Sequence, residues 1–318
     1  MKAKVTIITP TYNHGRFISY CIRSVLNQSY KDWEMIIVDD CSTDETAEIV
    51  RRYTTENKKL KLIKHRTRWG IKGLSRTYNQ ALARAKGEYI AILEGDDFWP
   101  ADKLKKQLKD FRDKSVVFSF GDAVIVNQNN IQCFVYSYKK RVDILCETNK
   151  DKKFIDLFNI ICNIIPVTVV IRKAALRRIG GFKNSRTYPF VDIPTWLSLL
   201  PHGAIAYRNA IYGYYRKHPS SAWFEFARNS SSMGKKEAAG AFLNFLTSEK
   251  LASNETVSDI ASGLQKLVNY KKDTQKLNIV VHRFIFNSIF QYAAFFLYLF
   301  SICFYRLFQD KTLRKLKI

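Results

Sequence analysis

Gly87-Glu88-Tyr89-Ile90-Ala91-Ile92-Leu93-Glu94-Gly95-Asp96-Asp97-Phe98-Trp99-Pro100 decides how this chain is read. Tyr89 to Leu93 is apolar and of strand length, and it stops in the carboxylates of Glu94, Asp96 and Asp97 around a glycine, followed by Trp-Pro. Such a strand is buried and carries its acids to a surface. In an open α/β sheet the carboxyl end of a central strand is where ligands sit. Carboxylates crowded there repel one another unless a cation neutralises them. The arrangement suits a divalent metal holding a phosphate-bearing ligand; the plainer alternative is a solvated acidic turn.

Outward from this stretch, the first half alternates short β-type runs with helical ones, the pattern of a parallel sheet covered by helices. Val5 to Thr9 is the first expected strand, and Pro10-Thr11-Tyr12-Asn13-His14-Gly15 the turn after it. Phe17, Cys21 and Val25, with Ile18, Ile22 and Leu26, fall at helical spacing. Trp33 to Val38 is a second strand, closing in Asp39-Asp40, and Ser42 stands three residues before Glu45 as a capping box for a helix to Tyr53. Leu60 to Ile63 is a third strand. Leu74 to Ala85 is a helix, with Gly87 in the left-handed cap position after it.

The middle is β-rich. Val116 to Phe120, Ala123 to Val126 and Ile131 to Tyr138 are expected as antiparallel strands at one edge of the sheet, with Gly121-Asp122 and Asn127 to Asn130 as turns. Lys139 to Lys153 reads as a mobile loop over the crevice, Phe154 to Ile161 as a helix, Val167 to Arg172 as a strand, and Ala174 to Ile179 as a helix stopped at Gly180-Gly181. Beyond Arg228, Ala238 to Leu246 and Val257 to Val268 have amphipathic helical spacing. Phe284 to Tyr305 is apolar, aromatic and about the length of a spanning helix, with basic residues at both ends. A buried core helix is the alternative, but the basic ends match an anionic leaflet.

With 318 residues, 47% of them hydrophobic, the chain can bury a sizeable core and is not disordered. Its 52 Lys+Arg against 28 Asp+Glu give a formal charge of +24, which predicts anionic partners: nucleotides, nucleic acid or acidic lipid. The basic residues are spread over the whole chain without a helix-turn-helix, zinc-finger or RNA-recognition signature, which speaks against nucleic acid. Six scattered cysteines form no CxxC pair and fit reduced thiols. The apolar run Val5 to Ile8 is too short for a signal-peptide core, so the N-terminal part is expected in the cytoplasm.

VTIITPTYN (residues 5–13), VDDCSTD (38–44), NQALARAKGEYI (79–90) and EGDDFW (94–99) together resemble the family 2 glycosyltransferases with their GT-A fold, a Rossmann-like, mainly parallel mixed sheet flanked by helices. IGGF (179–182), Asp192 to Trp196 and Arg216-Lys217-His218-Pro219 follow in family order, so the resemblance spans residues 3–222. It implies that Pro10, Thr11 and Tyr12 wrap the nucleotide and that Asp39 accepts from a uracil-type base, with Asp40 beside it. Arg76 and Asn79 would touch the donor or serve the structure. Glu94-Gly95-Asp96-Asp97 occupies the family's DxD position, where Asp97 would hold Mn²⁺ or Mg²⁺ and Asp96 and Glu94 would approach the donor; Glu94 replaces the usual Asp. Asp192 matches the general base of inverting transfer, and Val191 replaces the Glu before it. An N-cap before Pro194 is the structural alternative for Asp192, and it does not exclude the catalytic role. Arg216 and His218 match the run that reaches the diphosphate, with a solvated basic loop as the alternative.

The resemblance implies an inverting, metal-dependent enzyme that moves sugar from a nucleoside-diphosphate sugar, a UDP-sugar in the first place, to a glycan or polyprenyl-linked acceptor. No Gln-x-x-Arg-Trp run is present, so one sugar is expected per event. A non-catalytic sugar-nucleotide-binding subunit is the alternative. The expected organisation is a GT-A catalytic domain over 1–228, a helical extension over 229–280 and a membrane-associating helix and tail over 281–318. That last segment would hold the enzyme at the cytoplasmic face of an anionic membrane, and the oligomeric state stays open.

Overall fold

The computed structural model describes residues 4–140, 142–143, 160, 163–183 and 191–221. Most of the 139–153 loop, the 154–161 helix and both C-terminal segments expected from the sequence lie outside the described residues. Among the described residues, no helix is long and apolar enough to cross a membrane.

Four strands form the parallel half of the sheet: β1 (Val5–Thr11), β2 (Trp33–Asp39), β3 (Leu60–Lys64) and β4 (Tyr89–Ile92). Val5, Ile7, Ile8, Met35, Ile36 and Ile37 are fully buried, because this part of the sheet is covered on both faces and both sides of each strand must be apolar. The helices α1 (Gly15–Leu26), α2 (Thr46–Glu56) and α3 (Leu74–Arg84) connect them. Ile18, Cys21, Ile22 and Val25 turn one face of α1 into the core, as the spacing predicts. After β4 come α4 (Lys103–Gln107), β5 (Val116–Asn127), β6 (Gln132–Tyr136), β7 (Val170–Arg172), α5 (Lys173–Arg178), α6 (Asp192–Leu199) and β8 (Ala204–Lys217). The strand order is β3-β2-β1-β4-β7-β5-β6, and β8 also pairs with β5. β7 runs antiparallel to β4 and β5, β6 antiparallel to β5, and β8 parallel to β5, so the sheet is mixed.

The structure corrects several local expectations. Val116 to Val126 is one strand, not two: Gly121 and Asp122 form a bulge in the pairing with β8, and long-range pairing outweighs the local turn signal. Gly87 is not left-handed; its amide donates to Thr6 Oγ1, and a side chain there would strike the β1 backbone. Ser42 caps no helix, because its hydroxyl donates to Asp39, while Asp44 Oδ1 accepts from the Thr46 amide at the helix start. Pro166–Thr168 is a 3₁₀ turn, which leaves only Val170–Arg172 of the expected strand. β8 has no counterpart in the sequence reading.

Candidate active site

Parallel pairing places the carboxyl ends of β1, β2 and β4 side by side. Thr11 stands in register with Asp39, the Asp40 amide donates to Thr11 O, and the Gly95 amide donates to Pro10 O at 3.0 Å. Gly95 lets the acidic turn lie against β1, since a Cβ there would come within 2.4 Å of Thr11 Oγ1. From the other side β8 holds the same turn: Phe98 and Tyr214 exchange backbone hydrogen bonds, and their rings stack at 4.5 Å. The Arg216 amide donates to Asp97 Oδ1 at 2.8 Å, and Arg216 Nε donates to Asp96 O at 2.6 Å. Arg216 is buried against Phe17 and Phe98, which rules out the solvated basic loop. His218 is buried as well, with Nε2 3.0 Å from Asp96 Oδ2.

Sequence reasoning did not single out His14. Its Nε2 lies 3.7 Å from Asp96 Oδ2, its Nδ1 3.2 Å from Thr11 Oγ1, and its ring meets His218 edge-on. Asp96 therefore sits between two imidazoles. The only signal was its place directly after Pro10 to Asn13, in a turn whose Asn13 has a positive φ of 53°.

Glu94, Asp96 and Asp97 each offer an oxygen, and these atoms lie within 4.8 Å of one another. Burial opposes ionisation of Asp96, but His14 and His218 outweigh it and hold the carboxyl at about 2. Burial and the charge of Asp96 push Glu94 up to about 8, against the hydrogen bond from Tyr78 Oη to Glu94 Oε1 at 3.0 Å. Burial, with Asp96 and Glu94 beside it, raises Asp97 too. Asp97 Oδ2 is buried without a hydrogen-bond partner. Two carboxyls kept from ionising by burial and by their neighbours, and one unpartnered buried oxygen, fit a divalent cation, which would neutralise all three.

Asp192 is the first residue of α6; its cap is Val191, which corrects the N-cap expectation. Burial raises its carboxyl to about 6 against hydrogen bonds from the Ile193 amide and its own, and Oδ1 has no partner. Its charge also raises Glu94, which places Asp192 in the field of the acidic turn.

The remaining candidates are placed as follows. Asp39 is fully buried and accepts from the Ser42 amide through both oxygens at 3.3 Å. Asp40 caps no helix; it accepts from the Trp69 and Gly70 amides at 2.9 and 2.7 Å and lies 2.7 Å from His65 Nδ1. Arg76 is exposed and stacks over Trp69, whose ring also stacks on that of His65 at 3.7 Å. Arg68 lies over the Tyr12 ring at 4.0 Å. Asn79 serves the structure: its amide donates to Phe182 O at 2.9 Å and accepts from Phe182 N at 2.8 Å, locking α3 to the Gly180-Gly181 turn.

A model of the family described as glycosyl transferase family 2 matches residues 6–180. The chain is 35% identical over 239 residues to the putative teichuronic acid biosynthesis glycosyltransferase TuaG of Bacillus subtilis, covering 75% of this chain and 85% of the relative. It is 33% identical over 206 residues to the UDP-Glc:alpha-D-GlcNAc-diphosphoundecaprenol beta-1,3-glucosyltransferase WfgD of Escherichia coli, covering 64% and 72%. Among solved structures, residues 1–349 of S. aureus TarS in complex with UDP-GlcNAc superpose with a TM-score of 0.60 at 20% identity, covering 86% of this chain and 76% of that one. The mannosyltransferase PcManGT of Pyrobaculum calidifontis, in complex with GDP-Man and Mn²⁺, gives 0.53 at 19%, covering 91% and 80%. These structures share the GT-A-like mixed sheet. The chain belongs to glycosyl transferase family 2 and is a glycosyltransferase.

Proposed function

We propose that this enzyme transfers one sugar, with inversion, from a UDP-sugar to a hydroxyl of a glycan or lipid-linked glycan at the cytoplasmic face of a membrane. The observation that carries the reading is the acidic turn itself: Asp97 Oδ2 is buried and unpartnered, with Glu94 and Asp96 beside it and Asp192 acting on the same charges. Support for the donor comes from relatives, since WfgD is named for UDP-Glc and TarS is solved with UDP-GlcNAc.

Asp97 and Glu94 would hold Mn²⁺ or Mg²⁺, which supplies charge neutralisation on the departing diphosphate. Asp96, kept ionised by His14 and His218, fixes the hydrogen-bonding direction at the turn and accepts from the donor sugar or ribose. Pro10, Thr11 and Tyr12 form the wall at the nucleotide end, and Asp39, set by Ser42, stands next to them. Asp192, with a carboxyl at about 6, is ionised at neutral pH and takes the proton of the acceptor hydroxyl as the sugar carbon is attacked. Val191 in place of a second acid leaves that base alone at the start of α6.

Membrane placement is assigned to residues 281–318, whose aromatic apolar run and basic ends suit an anionic leaflet. Two experiments test the reading. UDP release from a panel of UDP-sugars with Mn²⁺ or Mg²⁺ needs no acceptor, and bound nucleotide without turnover would favour a binding subunit instead. Removal of residues 284–318 is expected to release the protein from membranes, and continued binding would exclude the anchor.

A further inference from the structure

From Asn57 to Gly87 the chain carries ten Lys and Arg residues and no Asp or Glu. The fold sets this run along the β3 edge and on α3, which packs over β1 and β2. β3 is the outermost strand of the sheet beside β2, and the β3–α3 loop and α3 continue from it. Lys58, Lys64, Arg66, Lys72, Arg84 and Lys86 are exposed, and among the described residues their side chains make no ion pair. Of the acids on the neighbouring β2, Glu34 is buried and already paired with Lys61 at 2.7 Å, and Asp39, in register with Lys64, is fully buried. Neither of these acids forms an ion pair with the six exposed cations that make up this rim.

We infer that this rim is a docking surface for anionic lipid headgroups, separate from the C-terminal segment. It is independent of the donor assignment and adds a second contact to the proposed membrane placement. Lysines on an edge strand also discourage pairing with other strands, but that role ends with the strand, whereas the unpaired cations continue through the loop to the end of α3. The sheet order sets β3 three strands from β4, which carries the acidic turn, while Asp192 follows the β7 side. An acidic acceptor glycan held along β3 would thus lie away from the acidic turn, which favours a surface over a substrate subsite for the strand's cations. The rim is also fixed to the site, because Asp40 at the end of β2 binds the Trp69 and Gly70 amides within it. A bilayer meeting several cations at once would orient the cleft through that latch.

The test uses the full chain and co-sedimentation with phosphatidylglycerol–phosphatidylcholine vesicles, with phosphatidylcholine vesicles as the neutral comparison. One variant replaces Lys58, Lys64, Arg66, Lys72 and Lys86 with Gln; a charge-matched variant replaces Arg51, Lys105, Lys109, Arg112 and Lys114 with Gln. The rim variant is expected to lose roughly tenfold or more in partitioning to anionic vesicles, and the matched variant less than about twofold. Thermal melting and UDP affinity check both folds, and a Lys58→Gln, Lys64→Gln, Arg66→Gln variant repeats the test if the larger one melts early. Equal losses in the two variants, or equal binding to neutral vesicles, overturns the rim. Tighter binding to a single-stranded oligonucleotide or an acidic polysaccharide, lost in the rim variant alone, overturns the lipid assignment in favour of that polyanion. UDP release is measured in solution, so failure here is distinct from failure of the donor reading.

Discussion

The backbone amide of Arg216 donates to Asp97 Oδ1 at 2.8 Å, while Asp97 Oδ2 stays buried with no partner. One oxygen is thus fixed by β8 and the other is unpartnered, in a turn where Glu94, Asp96 and Asp97 each offer an oxygen within 4.8 Å of one another. An unmet buried carboxylate oxygen is costly, and the cost is offset when a cation and a diphosphate fill the turn. This relation joins two segments that lie 119 residues apart, and it depends on Phe98 bridging to Tyr214.

Asp192 fixes the acid limb of the pH profile. The base must be ionised, its carboxyl sits at about 6, and transfer should therefore be constant at neutral pH and fall as the pH drops through that value. Well below it the loss should approach about tenfold per pH unit. Asp192→Asn should lower turnover by roughly a hundredfold or more while UDP affinity stays within about twofold. Single-turnover rates between pH 5 and 8 and calorimetry with UDP check both, and an unchanged rate in Asp192→Asn would remove it as the base.

Tyr78→Phe keeps the ring that packs on Phe182 and removes only the hydroxyl that donates to Glu94 Oε1. That hydrogen bond opposes the upward push on Glu94, so its loss should raise the Glu94 carboxyl further and weaken metal-supported UDP binding. A three- to tenfold loss is expected, equivalent to about 1 kcal/mol. Titration calorimetry with UDP and Mn²⁺ measures it; unchanged affinity would show that Glu94 takes no part.

Asn79→Ala should act on stability. Both ends of the Asn79 amide bond Phe182, and losing them leaves backbone groups unmet at the α3–Gly181 junction. A loss of about 1–3 kcal/mol is expected, seen as a lower midpoint in urea, with UDP affinity retained in the folded protein. Intact stability with lost affinity would instead return Asn79 to the donor site.

The first half of the fold was legible because β1, β2 and β4 are each buried on both faces and read as apolar runs, with acids falling where those runs end. The acidic turn was legible for the same local reason, whereas Asp192, at the start of a helix, was singled out only by the family resemblance. Ser42 was misread because a hydroxyl three residues before Glu45 can serve either the helix or the buried Asp39 carboxylate, and the carboxylate wins. Gly121-Asp122 was misread because β5 is held by β6, β7 and β8, pairings that no local window contains. β8 was missed since much of it is only partly buried and its partner lies some ninety residues earlier, although its Tyr and Ile content was a β signal. His14 meets Asp96 only through the β1–β4 register, so its role became visible with the sheet.

The most direct measurement is metal-dependent UDP release from UDP-sugars by the wild-type chain and by Asp97→Asn. Release should require Mn²⁺ or Mg²⁺ and fall by roughly a hundredfold or more in the variant, because the unpartnered oxygen that would hold the cation is replaced by an amide. Release that continues undiminished in Asp97→Asn, or that proceeds equally in the presence of a chelator, would contradict the assignment of Glu94-Gly95-Asp96-Asp97 as the metal and diphosphate site.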